Sequence, residues 1–131
     1  MNAAARQSIH IGTSGWSYVD WVGSFYPAGT PKADFLGCYA EQFDVVEVDS
    51  TYYAPPARRL VSGWYERTPE HFRFALKAPA AITHEKVLRD CEREADAFFD
   101  ALAPLGEKLL CVLLQFGYFN KSKFSSAEPF L

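Results

Sequence analysis

Apolar and polar positions along this chain alternate between a period of two and a period near 3.6, and the changes of period divide it into strands and helices. Ile9-His10-Ile11-Gly12-Thr13 reads as a first strand, which ends in a Gly- and aromatic-rich loop over residues 14–31. Thr30 and Pro31 then predict a helix start, with Thr as N-cap and Pro at the first helical position. Phe35, Leu36, Tyr39, Ala40 and Phe43 form the buried face of that helix. The β-rich run 44–49 predicts a second strand, and residues 50–56 a loop. Leu60, Val61, Trp64 and Tyr65 repeat the helical spacing until Thr68-Pro69 stops it. Residues 72–77 alternate with period two as a third strand. After a loop carrying Pro79 and His84, the residues Cys91, Ala95, Phe98, Phe99 and Leu102 line a third helix, which Pro104-Leu105-Gly106 ends. Residues 109–115 are a fourth strand.

The order βαβαβαβ predicts an α/β fold with a parallel sheet. Residues 120–131 read as a loop and the first turn of a fourth helix, with Ser125 or Ser126 as cap and Glu128-Pro129 behind it. A pattern that stops there predicts a partial sequence, with residues 1–8 as an N-terminal tail and 9–131 as one unit. A length of 131 residues with 49% hydrophobic and 22% charged residues is enough for one packed core. Three Trp, seven Tyr and eleven Phe call for a large aromatic core or an aromatic-lined pocket.

A net charge of −3 without a dense Lys/Arg run argues against nucleic-acid binding. The apolar run 109–114 is too short to cross a membrane, and no secretion signal precedes it, so the expectation is a soluble cytoplasmic protein. Cys38, Cys91 and Cys111 are odd in number and widely spaced, which predicts buried reduced thiols rather than disulfides or a zinc site. Asn120-Lys121-Ser122 matches a glycosylation sequon that carries no weight without such a signal.

Four blocks stand in order: Gly12-Thr13-Ser14-Gly15-Trp16-Ser17-Tyr18 with Trp21 and Phe25-Tyr26-Pro27; Val46-Glu47-Val48-Asp49-Ser50-Thr51-Tyr52-Tyr53; Phe72-Arg73-Phe74 with Lys77, Pro79 and Ile82-Thr83-His84; and Leu114-Gln115-Phe116. Together they resemble the YecE-like family of unknown function, a group of sugar-isomerase-related TIM barrels. The resemblance implies a (β/α)8 barrel of about 250 residues, of which this chain supplies the first four strands and three helices as an N-terminal half. Two sharper motifs are absent: Trp16 stands where a nucleophile elbow needs its second Gly, and no phosphate-binding Gly loop occurs.

In such a barrel one face of each strand meets the helices and the other faces the lumen. Ile9, Ile11, Val46, Val48, Phe72, Phe74, Leu76, Leu110, Val112 and Leu114 are expected toward the helices. Ser14, Asp49, Lys77 and Gln115 then lie at the C-terminal mouth, where barrel chemistry is found, above a deeper layer of His10, Glu47 and Arg73. Buried charges need partners, so Glu47 or Asp49 is expected to pair with Arg73 or Lys77. Asp49, Lys77 and His84 are the candidate catalytic residues, with His84 as a general acid or base. Ser14, Trp16, Tyr18, Glu47, Tyr52 and Gln115 are the candidate substrate-binding residues. Rings with polar tips at Trp16, Tyr18, Trp21, Tyr26, Tyr52 and Tyr53 suit a carbohydrate-like ligand, or else cap the top of the core.

Sugar-isomerase-related barrels use carboxylate and His ligands, which leaves a divalent metal on Glu47, Asp49 and His84 open. No His pair at i, i+4 and no Glu-x-x-His is present, so no cofactor is established. Three functions follow: an enzyme-type barrel acting on a small polar substrate, a Schiff-base lyase centred on Lys77, or a non-catalytic binding or scaffold protein whose lumen is an ion-pair network. Four parallel strands leave two open edges, so the chain is expected to self-associate through them.

Overall fold

The computed structural model describes residues 9–118 and Ser126. Four strands, β1 (Gly12–Ser14), β2 (Val45–Val48), β3 (Arg73–Lys77) and β4 (Leu109–Leu113), form one sheet in the order β1-β2-β3-β4, and every neighbouring pair is parallel. The helices α1 (Phe35–Ala40), α2 (Arg58–Glu66) and α3 (Glu92–Leu102) fall between successive strands, as parallel connections require. The N-terminal tail and the expected start of a fourth helix lie outside the described residues, Ser126 excepted. Among the described residues no helix is long and apolar enough to cross a membrane.

One side of the sheet is the core. Val46, Phe72, Phe74 and Leu76 are fully buried there, with Val48 nearly so, against Phe35, Leu36 and Tyr39 of α1, Val61 and Trp64 of α2, and Phe98 and Leu102 of α3. The alternation read from the second and third strands therefore holds. On the opposite side Val45, Glu47, Arg73, Ala75 and Lys77 are half-buried, while Cys111 and Leu113 are exposed. The helical faces also hold, except that Leu60 and Phe99 are half exposed, at 50% and 52%.

Four local expectations change. The Thr30 hydroxyl donates to the Pro27 carbonyl at 2.7 Å rather than capping a helix, and a 3-10 turn, Lys32–Asp34, leads into α1. Ile9 and Ile11 are exposed, at 85% and 68%, because no helix reaches past the start of β1. In β4 the pairing runs Phe74 with Leu109 and then Ala75 with Cys111, so Leu110 is an extra residue in a bulge. The bulge puts Leu109 on the core side, Val112 stays there as expected, and Leu110 and Leu114 are exposed. Cys111, expected buried, is exposed on the open face, while Cys38 and Cys91 are half-buried.

Among the described residues, one group of aromatic rings packs into the core beneath the first loop. Tyr26 is 1% exposed, stacks on Phe35 at 4.8 Å, and donates its hydroxyl to the Trp16 carbonyl at 2.5 Å. Trp21 packs against Tyr39, so this ring and Tyr26 help cap the core. Burial, with the neighbouring Tyr39, Cys38 and Tyr18 groups adding to it, pushes the Tyr26 phenol up to about 12. The unfolded phenol ionises near 10, so this contribution to stability is complete below pH 10 and is lost as pH rises toward 12. Its expected size is on the order of a few kcal/mol. Urea unfolding at stepped alkaline pH should show that loss in the parent and a flatter profile in Tyr26→Phe; parallel profiles would refute it.

Candidate functional site

Lys77 is the last residue of β3, where its side chain leaves the open face of the sheet. Its ammonium sits 4.6 Å from the centroid of the Tyr52 ring, a cation–π contact. The His84 ring meets Tyr52 edge-on at 5.2 Å, and His84 Nδ1 shares a 2.8 Å hydrogen bond with the buried Thr83 hydroxyl. That bond orients the imidazole and leaves Nε2 without a protein partner among the described residues. His84 stands in a π-helical turn, Ala81–Glu85, which the sequence pattern renders only as a loop. Beyond it Val87, Leu88 and Asp90 take φ of 49°, 63° and 46°, a left-handed run that non-glycine residues rarely adopt. The Leu88 N–H bond to Ile82 and the Lys86–Glu94 ion pair at 2.8 Å hold this run in place.

The short turn Ser50–Tyr52 after β2 faces two places at once. Thr51 points into the protein and is 1% exposed; its hydroxyl contacts the Lys77 carbonyl at 2.6 Å and the Val48 carbonyl at 3.2 Å. This ties the turn to the end of β3 and puts Tyr52 over Lys77. Asp49 and Ser50 line a separate cleft of about 390 Å³ on the helix side of the sheet. Its walls are Trp16 and Tyr18 from the first loop and Leu36, Leu60 and Trp64 from α1 and α2, with Lys32 and Arg67 at its rim. Trp16 stands edge-on to Trp64 at 5.6 Å, and the Tyr18 hydroxyl donates to the Ser14 carbonyl at 2.6 Å.

The candidate residues therefore divide. Lys77, Tyr52 and His84 come together; Asp49, Trp16 and Tyr18 gather in the cleft; Ser14 and Glu47 are register partners on the open face, and Gln115 lies exposed beyond β4. The expected carboxylate pairs are not formed. Parallel register puts Arg73 beside Val45 and Glu47 beside Ala75, and Arg73 donates instead to the Glu70 and Phe72 carbonyls at 2.8 and 2.9 Å. No carboxylate lies within ion-pair distance of Lys77 among the described residues. His10 pairs with Asp44 at 2.7 Å, a contact that pattern reading missed because both lie at strand starts. Burial pushes the Asp44 carboxyl up, but the His10 hydrogen bond and charge, with the Asp44 and Ile11 N–H groups, outweigh it and lower its pKa. Among the described residues no group of three His, Cys, Asp or Glu side chains is placed to hold a metal ion.

The sequence from residue 10 to 128 matches the family described as "Protein of unknown function DUF72". The chain belongs to the DUF72 family. Among curated DUF72 relatives, UPF0759 protein YecE of Escherichia coli K12 is 36% identical over 101 residues, covering 77% of this chain and 35% of the relative. UPF0759 protein YunF of Bacillus subtilis 168 is 37% identical over 114 residues, covering 82% and 39%. The chain thus spans little more than a third of the length of these relatives. Crystal structures of DUF72 proteins share its architecture. One from Thermotoga maritima superposes with a TM-score of 0.72 at 32% identity, over 92% of this chain and 50% of that one. One from Enterococcus faecalis gives 0.68 at 28%, over 88% and 43%.

Proposed function

We propose that this chain supplies the first four strands of a (β/α)8 barrel and binds a small polyhydroxylated, carbohydrate-like ligand at the C-terminal mouth, through Lys77, Tyr52 and His84. The observation that carries the reading is the Lys77 ammonium lying against the Tyr52 ring without a carboxylate partner among the described residues. A ring attracts the cation but accepts none of its hydrogen bonds in the plane, so the N–H donors stay available to ligand oxygens. His84 Nε2 offers a second polar contact, and the exposed Tyr53 ring a stacking surface. The barrel is supported by the sequential parallel order, the half-buried polar face opposite the helices, and β1 and β4 each pairing on one side only. Those same edges support association with further strands, from the rest of a barrel or from a second copy.

Calorimetric titration with a set of pentoses and hexoses tests the site. Lys77→Ala is expected to weaken binding about tenfold or more, on the scale of a lost charge-assisted hydrogen bond. Tyr52→Phe, which keeps the ring, should change it little. Undiminished binding in both Lys77→Ala and His84→Ala would refute the site. The absence of a nearby carboxylate also favours a second reading, Lys77 as a Schiff-base former. Borohydride trapping of Lys77 with small aldehydes and ketones would support that reading over simple binding.

A further inference from the structure

We propose that the cleft between α1 and α2 is a second binding site, separate from Lys77, and takes a flat apolar ring carrying an anionic group such as a phosphate, sulfonate or carboxylate. Its volume of about 390 Å³ falls within the range of small-molecule pockets. It opens on the helix side of the sheet, and Leu36, Val48 and Trp64 at its base belong to the buried core.

The lining has the two characters that such a ligand needs. The edge-on pair Trp16 and Trp64, with Tyr18 and Leu60, offers faces and edges for a planar ring. Leu60 is half exposed although it sits on the apolar side of α2, so a ring lying against it would remove apolar surface from water. Lys32 and Arg67 enter the cleft from opposite helices' ends, and neither makes an ion pair among the described residues. Asp49 is the single carboxylate in the lining, so the two cations leave a net charge of +1 there. An Arg fork and a Lys ammonium suit an oxyanion, and the Ser17 and Ser50 hydroxyls add neutral donors. A purely apolar ligand would leave both cations unused, and a bare inorganic anion would leave the rings unused.

The probe is 1-naphthyl phosphate, titrated into the isotopically labelled chain and followed by amide chemical shifts and tryptophan fluorescence. Shifts are expected at residues 15–18, 32–36 and 64–67, with quenching of Trp fluorescence and weaker binding of 1-naphthol and of inorganic phosphate alone. The double variant Lys32→Gln with Arg67→Gln should weaken the naphthyl phosphate complex about tenfold or more while leaving 1-naphthol binding unchanged. Both positions are exposed, so an unchanged urea midpoint is the folding control. Equal affinity in the double variant, shifts confined to the open sheet face at residues 109–115, or no shift at millimolar probe would each overturn the proposal. Lys77→Ala should bind this probe as the parent does, so failure at one site leaves the other testable.

Discussion

Replacing Lys108 by Met is expected to destabilise the fold by about 3 kcal/mol, a cost typical of breaking a buried charged hydrogen-bond set. Lys108 is 3% exposed, and its ammonium uses all three donors: the Tyr65 carbonyl at 2.6 Å, the Thr68 carbonyl at 2.8 Å and the Thr68 hydroxyl at 3.2 Å. Thr68 passes its own hydroxyl proton to the Trp64 carbonyl at 2.9 Å, so one cation satisfies the C-terminal end of α2 directly and through a relay. The positive charge also lies at the negative end of that helix and 4.0 Å from the Tyr65 ring centroid. Burial pushes the Lys108 pKa down, which measures the desolvation these contacts must offset. Methionine fills the same space but strands the Thr68 carbonyl and leaves the Tyr65 carbonyl only the longer 3.3 Å bond from the Thr68 hydroxyl. Urea unfolding should show the loss, whereas Arg58→Gln, which breaks the exposed 3.0 Å pair with Asp100, should cost under about 1 kcal/mol. Comparable midpoints for the two variants would refute the capping role.

Periodicity made the sheet and its helices legible because the core face of each is a regular stripe. Val46 with Val48 and Phe72 with Phe74 and Leu76 alternate without interruption, and burial follows. Pattern reading failed where backbone geometry departs from a regular period. The bulge adds Leu110 to β4 and takes it off the core side assigned to it, while Cys111, Val112 and Leu113 keep theirs, and nothing in a run of leucines marks that residue. Lys108 was equally hidden, since a lone Lys between a helix stop and a strand reads as a solvated loop residue.

The candidate site was legible as a set of residues and not as a set of contacts. Placing Asp49, Lys77 and His84 near strand ends requires only alternation. Deciding which of them meet requires the register between strands and the path of each loop. The 3-10 turn at Ser50–Tyr52 sends Asp49 and Tyr52 to different sides of the sheet, which no spacing rule for strands anticipates. Arg73 and Glu47 miss each other because parallel pairing offsets them by two residues. The result is a polar cluster at the end of β3 whose cation lies against an aromatic ring, beside a cleft lined by both aromatic rings and two cations.

Gly12→Ala is expected to detach β1, at a cost of about 3 kcal/mol or more, the range of severe core and backbone clashes. The Cβ that Ala would add at Gly12 runs into the Val45 carbonyl oxygen and carbon of β2, and backbone there has no room to move while the ladder holds. The same neighbourhood carries the bonds that tie three elements together. The Thr13 N–H donates to the Tyr39 hydroxyl at 2.8 Å, and that hydroxyl donates to the Val45 carbonyl at 2.9 Å, so α1, β1 and β2 meet at one oxygen. Tyr39 is fully buried, and separating β1 from β2 would leave its hydroxyl and the strand N–H groups short of partners. The clash therefore propagates beyond one strand. Loss of β1 would also release residues 15–18, whose position depends on the Gly15 N–H bond to the Glu47 carbonyl at 2.8 Å, and with them one wall of the cleft. Amide exchange should show lost protection across Gly12–Ser14 and Val45–Val48 together with a lowered urea midpoint. Protection retained in both strands would show that β1 tolerates a side chain there and that the close approach is not what holds this edge.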